Sequence, residues 1–548
     1  QGKSLKTLSH LVPNLFIPDY GSHLTSAFYI RGVGSRINAP AVGMYVDNIP
    51  YLDKSAFDFN FMDVERVDVM RGPQGTLYGR NAMGGIVRVF TKNPFHYRGT
   101  EVKMGYATGD NNRNVTVSHH HRLNDSFAFS AGGYYVGSDG FFKNDLTGKK
   151  VDGIQTVGGR LRGIYKANDR LTMDLSLNYD YCDEGAYPYY YAGSLTEKEP
   201  YADYVGKISN NNESRYRRNM LNTGLNISYD LGDVEIRSVT SFQNLCDRMF
   251  QDQDFLPRDI YTMEQRQRIN TLTEEVTARS KHGAIWNWVG GFNVTKQWLR
   301  TEGPVTFGKD GVAMLEQNIN SVLPENPPMS INFRGENLRM GGIFETPMLN
   351  LGVFHQSVFN ITKALSLTAG IRLDYEKNSI NYDTSSSVDY GFSMPSMHVD
   401  FQDLTANITE YDGKINRDRF NVLPKVALKY DFDANNNVYM SVARGMRSGG
   451  YNIQMFSDLL QGAMQKKMMD GVKEATFAYL DKNMPMMADK IKMMISAVMP
   501  KVELSGVETV AYSPEFSWNY EVGSHLTLAD RTLMLDKTLF YNHINNIQ

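Results

Sequence analysis

The chain has 548 residues, 12% of them aromatic and 47 of them glycine, which is long enough for several ordinary domains or for one very large sheet. Acidic and basic residues nearly balance at a formal net charge of -3, which speaks against a nucleic-acid binder and against a polybasic membrane-surface segment. No stretch approaches the roughly 20 consecutive apolar residues of a transmembrane helix, and mean hydropathy is -0.40, so a helical membrane protein is excluded; a barrel, whose strands hide their apolar face in alternation, is not.

The chain opens at Gln1 without a signal peptide, so export must be read from other features and the N-terminus is expected to have been trimmed. Residues 1–97 read as a compact first unit of short β runs, dense in glycine and charge. Its runs are Ser4 to Leu8 with Val12-Pro13-Asn14, then Ile30-Arg31-Gly32, then Val42 to Pro50, then Val64 to Val87. Gly72, Gly75, Gly79, Gly84 and Gly85 permit tight turns and close backbone approach. Arg31, Arg66, Arg71 and Arg80 interleave with Glu65 and Asp68, which suits a polar unit facing a polar, water-filled lumen where charges pair.

From about residue 100 the pattern changes to period two, which places apolar side chains on one face of a strand and polar ones on the other. Leu171 to Tyr181 alternates without error, Leu221 to Asp230 repeats the pattern, and Leu365 to Glu376 carries Arg372, Asp374 and Glu376 on its polar face. Those charges must face water inside something. The runs are close to the 9 to 11 residues that a tilted membrane strand needs, against about 5 to 6 for soluble strands. Tyr179, Tyr181, Tyr229, Tyr375, Tyr430 and Tyr541 at strand ends suit an aromatic girdle.

The connections alternate in length. Short turns fall at 123–125, 167–169, 230–233, 281–283, 362–364 and 528–530; long polar loops fall at 138–157, 182–215, 250–262, 302–338, 378–419 and 446–511. Short periplasmic turns alternating with long extracellular loops mark a transmembrane antiparallel β-barrel of the outer membrane. About fifteen strands fit between Thr100 and Gln548. Single-chain bacterial barrels have an even number, so the chain is read as incomplete at its C-terminus, about seven strands short of a plugged barrel of roughly 22.

Within this frame His119-His120-His121 invites a metal or haem reading, but successive strand residues point to opposite faces and a structural role is expected. Cys182 and Cys246 cannot make a disulfide framework and are expected as two separate, inert thiols; no Cys/His cluster has metal-ligand spacing, so no metal site and no cofactor are expected. Tyr187, Tyr189, Tyr190, Tyr191, Tyr201 and Tyr204 could stack on a flat chelate or pack the loops against one another. Residues 455–500 read as an extracellular, methionine-rich helical insertion, either a self-packed hairpin or an adaptable surface for a ligand or a partner lipoprotein. No nucleophilic triad, elbow or phosphate-binding loop is found, so no enzyme is expected.

The runs from Ile30 to Val87, together with Ala443 to Asn452 and Trp518-Asn519-Tyr520-Glu521-Val522-Gly523, resemble TonB-dependent outer-membrane receptors, iron-complex branch, at both ends of the chain. The resemblance implies a mixed α/β plug (1–97) in the lumen of a barrel (98–548), located in the outer membrane and crossing it many times. It implies active import of a scarce ligand, foremost a ferric siderophore or similar small-molecule metal chelate, with haem, cobalamin or an oligosaccharide, or a non-transporting surface receptor or adhesin, as alternatives. The outer membrane holds no ATP, so the implied partner is the TonB energy-coupling complex, through a TonB box that would lie upstream of Gln1. Outer-membrane lipid is a second partner. The family's layout places ligand-contacting plug apices near Ser35, Arg36 and Asn38 and near Tyr51, Asp53 and Phe57, with Tyr187, Tyr189 and Tyr190 as loop contacts. It also implies that Glu521 locks the plug, with Arg71 as its expected partner.

Overall fold

The computed structural model describes residues 5–36, 39–60, 62–193, 201–281, 285–324, 327–384 and 386–547. The N-terminal part is built on a four-stranded sheet in the order Ile49–Tyr51, Val42–Val46, Gly85–Thr91, Val64–Arg71. Val42–Val46 and Gly85–Thr91 pair in parallel, and a parallel pair needs a crossover; here the chain between them contributes Val64–Arg71 and the short helix Gly75–Tyr78. Alternate residues of Val42–Val46 are buried, and Val42, Met44, Val46, Ile49, Val87 and Val89 form one apolar cluster with Leu15, Phe28 and Ile30. Met220, Leu245 and Ile269 of the surrounding strands belong to the same cluster, so this sheet shares its core with the wall.

Around it runs a wall of long antiparallel strands. Among the described residues it comprises fifteen: Gly99–Ala107, Asn112–Arg122, Phe127–Ser138, Ile154–Lys166, Leu171–Gly185, Arg215–Asp230, Val234–Asp252, Tyr261–Ser280, Trp286–Glu302, Met348–Asn360, Leu365–Asp383, Asp412–Val422 continued by Lys425–Asp431, Asn437–Arg447, Glu515–Leu528 and Leu533–Asn545. Asp412–Val422 and Lys425–Asp431 both pair with Leu365–Asp383, and the break between them falls at Leu423 and Pro424, whose nitrogen carries no hydrogen to donate. Sequential neighbours form continuous ladders throughout. The wall closes into a barrel in which Gly99–Ala107 and Leu533–Asn545, both exposed along most of their length, are neighbours.

Burial along these strands is inverted relative to a soluble protein. On Leu171–Gly185, Leu175 and Tyr179 are 48% and 46% exposed while Ser176 and Asp180, pointing inward, are 2% and 4% exposed. Apolar side chains face outward, as lipid requires, and the polar ones are sealed against the central domain. No helix among the described residues is long and apolar enough to cross a membrane.

The strands exceed the expected length: Tyr261–Ser280 has 20 residues and Val234–Asp252 has 19. The reason is visible on the outward face of Tyr261–Ser280, where exposed Leu272 is followed upward by Arg268, Arg266 and Glu264. The strand continues past the apolar band into water.

Three of the long loops fold together above the wall. The helices Met455–Asn483 and Ala488–Val498 join the helix Lys309–Ser321 and a three-stranded sheet, Ser330–Phe333, Ser386–Met394 and Val399–Ile408, around one apolar core. Met464, Met468 and Met469 are buried in it, whereas Met486, Met487, Met493 and Met494 are exposed. The longer helix therefore leans on a sheet contributed by other loops as well as on its own partner.

Candidate functional site

Between the top of the four-stranded sheet and the loops lies a cavity of about 620 Å³. The N-terminal part contributes Arg36, Asp53, Lys54 and Arg80; the wall contributes Gln251, Gln265, Gln267 and Gln297; the loops contribute Tyr187, Tyr189, Phe255 and Tyr451. Among the described lining residues the charged groups are three cations and one carboxylate.

Each is positioned by local chemistry. Asp53 caps the turn Lys54–Ala56, its carboxylate accepting from Ser55 N at 2.9 Å and Ser55 Oγ at 2.6 Å. The turn holds Lys54 beside Arg36, whose carbonyl accepts from Lys54 Nζ at 2.5 Å. Burial pushes the Lys54 ammonium down to about 8, against the pull of Asp53. The Arg36 guanidinium lies 4.8 Å over the Tyr20 ring. Arg80, which lines the cavity, donates to Met348 Sδ at 2.9 Å, and its buried Nε has no hydrogen-bond partner among the described residues.

The two tyrosine roles coexist. Tyr187 and Tyr189 line the cavity, and they also pack edge-to-face at 5.8 Å, with Tyr189 5.5 Å from Phe255 and its hydroxyl donating to Tyr20 O at 2.6 Å.

Other candidates lie elsewhere. Tyr51 is stacked on Phe59 at 5.2 Å, and Phe57 packs on Phe28 at 5.2 Å, both inside the core of the N-terminal part; the side chains that were expected to meet ligand instead hold the apex together. Ser35 is buried, and Tyr190 is exposed outside the lining. Asn38 lies outside the described residues. The glutamine wall was not anticipated, yet it had a signal: Met249-Gln251, Met263-Gln265-Gln267 and Gln297-Leu299-Thr301 recur at spacing two on three successive strands, which puts each set on one inward face.

Between the central domain and the wall lies a set of buried ion pairs. Glu521, on Glu515–Leu528, accepts from Arg31 Nη1 at 2.5 Å and from Tyr439 Oη at 2.7 Å, while the Arg31 guanidinium sits 4.3 Å over Phe540. Arg71 is exposed and makes no ion pair with Glu521 among the described residues, so the expected partner is corrected to Arg31. The cause is the turn that follows Arg71: Gly72, at φ +86°, packs against both Arg31 and Glu521, so the backbone after Arg71 reaches the carboxylate but the Arg71 side chain is carried away from it. Arg31 itself holds φ +54°, a left-handed conformation uncommon for a residue with a Cβ.

Asp47 is held by Arg160 and Arg162 of the wall and by Thr91 N at 3.0 Å; burial alone would raise its carboxyl, but the two guanidinium groups keep it below the usual range. Arg218 donates to Asp58 O at 2.8 Å and Ser55 O at 2.5 Å while pairing with Asp180. Arg447 donates to Ala39 O at 2.8 Å and pairs with Glu515 at 3.0 Å. These contacts could hold a plug in place and would have to break if it moved.

His119 and His121 stack at 5.8 Å on one face of their strand, while His120 points inward, 3.6 Å from Asp63. Cys182 and Cys246 are both free thiols.

The "TonB-dependent Receptor Plug Domain" family matches residues 1–86, and the "TonB dependent receptor-like, beta-barrel" family matches residues 178–548. The pesticin receptor of Yersinia pestis is 23% identical over 536 residues, covering 93% of this chain and 71% of that protein. The vitamin B12 transporter BtuB of Vibrio vulnificus is 32% identical over 116 residues, 19% of this chain and 18% of that one. Among solved structures, the ferric yersiniabactin uptake receptor FyuA from Yersinia pestis superposes with a TM-score of 0.69 at 20% identity, covering 100% of this chain and 70% of that chain. The ferric-catecholate import receptor Fiu from E. coli, closed form, gives 0.65 at 14%, covering 100% and 71%.

Proposed function

This chain belongs to the TonB-dependent receptor family of the Gram-negative outer membrane, with both plug and barrel, and from that premise we propose that it imports a ferric siderophore or similar anionic iron chelate. The observation that carries the reading is the cavity above the plug: Arg36, Lys54 and Arg80 outnumber the single carboxylate Asp53, and Tyr187 and Tyr189 supply aromatic faces. Cations favour an anionic ligand, and stacked rings favour a flat one. The similar solved structures, receptors of ferric yersiniabactin uptake and of ferric-catecholate import, support the same class.

Transport then needs no bond chemistry. Ligand binds on the outer side of the plug, the plug blocks the lumen, and passage requires the contacts at Glu521, Asp47, Arg218 and Arg447 to yield. The energy is supplied from the inner membrane by the TonB complex. Calorimetry of the purified protein against ferric siderophores, haem and cobalamin tests the ligand class. Saturable binding of a ferric siderophore that weakens on Arg36→Ala is expected; binding of cobalamin or haem alone overturns it.

A further inference from the structure

We propose that His23, Cys182 and Glu184 form a binding site for one divalent cation of the zinc class, which fastens the first segment of the plug to the barrel wall. The ligand atoms of the three residues all lie within 4.8 Å of one another. Cys182 and Glu184 are two apart on Leu171–Gly185, so both point inward, and both are buried. His23 arrives from the plug. Its own backbone N–H donates to Glu184 Oε1 at 2.7 Å, Ser22 Oγ donates to the same oxygen at 3.0 Å, and His23 Nδ1 faces Glu184 Oε2 at 2.6 Å. The imidazole and the carboxylate are therefore held together by a hydrogen bond that an entering ion would replace.

A carboxylate also lies on the other side of the ring, beyond direct hydrogen-bond distance. His23 Nε2 faces Asp58 Oδ2 at 3.7 Å, and Asp58 is itself tied to Lys6 Nζ at 2.8 Å. Metal-ligating histidines commonly direct their free ring nitrogen at a carboxylate, which fixes the tautomer and raises the basicity of the ligating nitrogen. A set of one nitrogen, one sulfur and one oxygen suits a borderline cation such as Zn²⁺ and is poor for Ca²⁺ or Mg²⁺, which take shells of oxygen. Glu184 also lines a second cavity, of about 330 Å³, bounded by the loops around Lys149 and Asn210. On binding, the Cys182 thiol gives up its proton to solvent, the proton shared by His23 Nδ1 and Glu184 Oε2 leaves as well, and metal bonds to sulfur, nitrogen and oxygen replace that hydrogen bond; nothing is oxidised or reduced. Since His23 belongs to the plug and the other two ligands to the wall, the ion bridges them, whichever chelate is imported.

Cobalt(II) titration of the folded, detergent-solubilised protein tests the site. One equivalent should produce thiolate-to-cobalt charge-transfer absorption in the near ultraviolet, displaced by Zn²⁺. Cys182→Ser and His23→Gln should abolish the band, Cys246→Ser should leave it intact, and Asp58→Asn should weaken cobalt binding by about 10- to 100-fold, as loss of an outer-shell partner does. Zn²⁺ should also slow backbone hydrogen exchange of residues 20–25 at least tenfold in the unaltered protein and not in Cys182→Ser. If Cys182→Ser fails to assemble a barrel, the Asp58→Asn and Cys246→Ser titrations still decide. A band that survives Cys182→Ser, or that follows Cys246, overturns the proposal. So does protection of residues 20–25 that is indifferent to Zn²⁺, which would mark a hydrogen-bonded latch alone.

Discussion

At the scale of single residues, the plug is held by charges that lose their solvent when it docks. The side chains of Arg31 and Glu521 are 4% and 11% exposed, so removing either strands the other away from water. Breaking a buried pair costs about 3 to 5 kcal/mol, whereas an exposed pair is worth about 0 to 1 kcal/mol. Arg31→Ala and Glu521→Ala should each raise the passive entry of large antibiotics into cells, and the double variant should be less than additive. Arg71→Ala, lacking that pairing, should leave permeability near wild type; a leak as large as that of Arg31→Ala would show that the resting lock involves Arg71 after all.

At the scale of elements, the short helix Gly75–Tyr78 ends in Gly79 at φ +70°, where an added Cβ would stand 2.6 Å from an Arg372 guanidinium nitrogen. Arg372 is fully buried and donates through Nε to Asp374 at 2.6 Å, so it cannot step aside. Gly79→Ala should therefore destabilise plug docking by about 1 to 3 kcal/mol, the usual range for overpacking, visible as faster proteolysis of residues 1–97 with the barrel still assembled. Unchanged proteolysis would mean that the wall gives way locally. The turn Lys54–Ala56 makes a pH prediction. Its ammonium titrates at about 8, below the ordinary lysine value, so it is charged at neutral pH and neutral well above 8. Attraction for an anionic chelate is fully present below that point and fades as pH rises through it. Affinity should fall several-fold between pH 7 and pH 9, and Lys54→Gln should flatten the dependence; an equal slope in the variant would assign the titration to the ligand.

For the whole molecule, the inverted burial pattern requires lipid contact along the outer face. Trp286 and Trp298 are both half-exposed, near opposite ends of Trp286–Glu302. At roughly 3.3 Å per residue and a tilt of about 45°, their separation along the membrane normal comes to about 28 Å, close to the ~30 Å of a hydrocarbon core. Their fluorescence in vesicles should be quenched more by lipids brominated near the headgroups than by lipids brominated at the chain ends. Stronger quenching at the bilayer centre would displace the membrane band from this position.

The alternation of Leu171 to Tyr181, the short-turn and long-loop rhythm and the number of strands were legible in the amino-acid sequence. Each follows from a local rule: a strand side chain faces opposite to its neighbour, and a wall in lipid must turn its apolar side out. The glycine-rich order of the plug was legible too, because tight turns in a confined domain demand those residues. Tertiary structure decided the rest. It chose Arg31 over Arg71 for Glu521, turned Tyr51 and Phe57 into the plug core, and aligned Gln251, Gln265 and Gln297 beneath the loops. It also brought His23 to Cys182 and Glu184. Those contacts join residues separated by up to 490 positions, and they depend on how far the curved sheet staggers around the plug it encloses, a quantity set by all the strands together and by no segment of the chain alone.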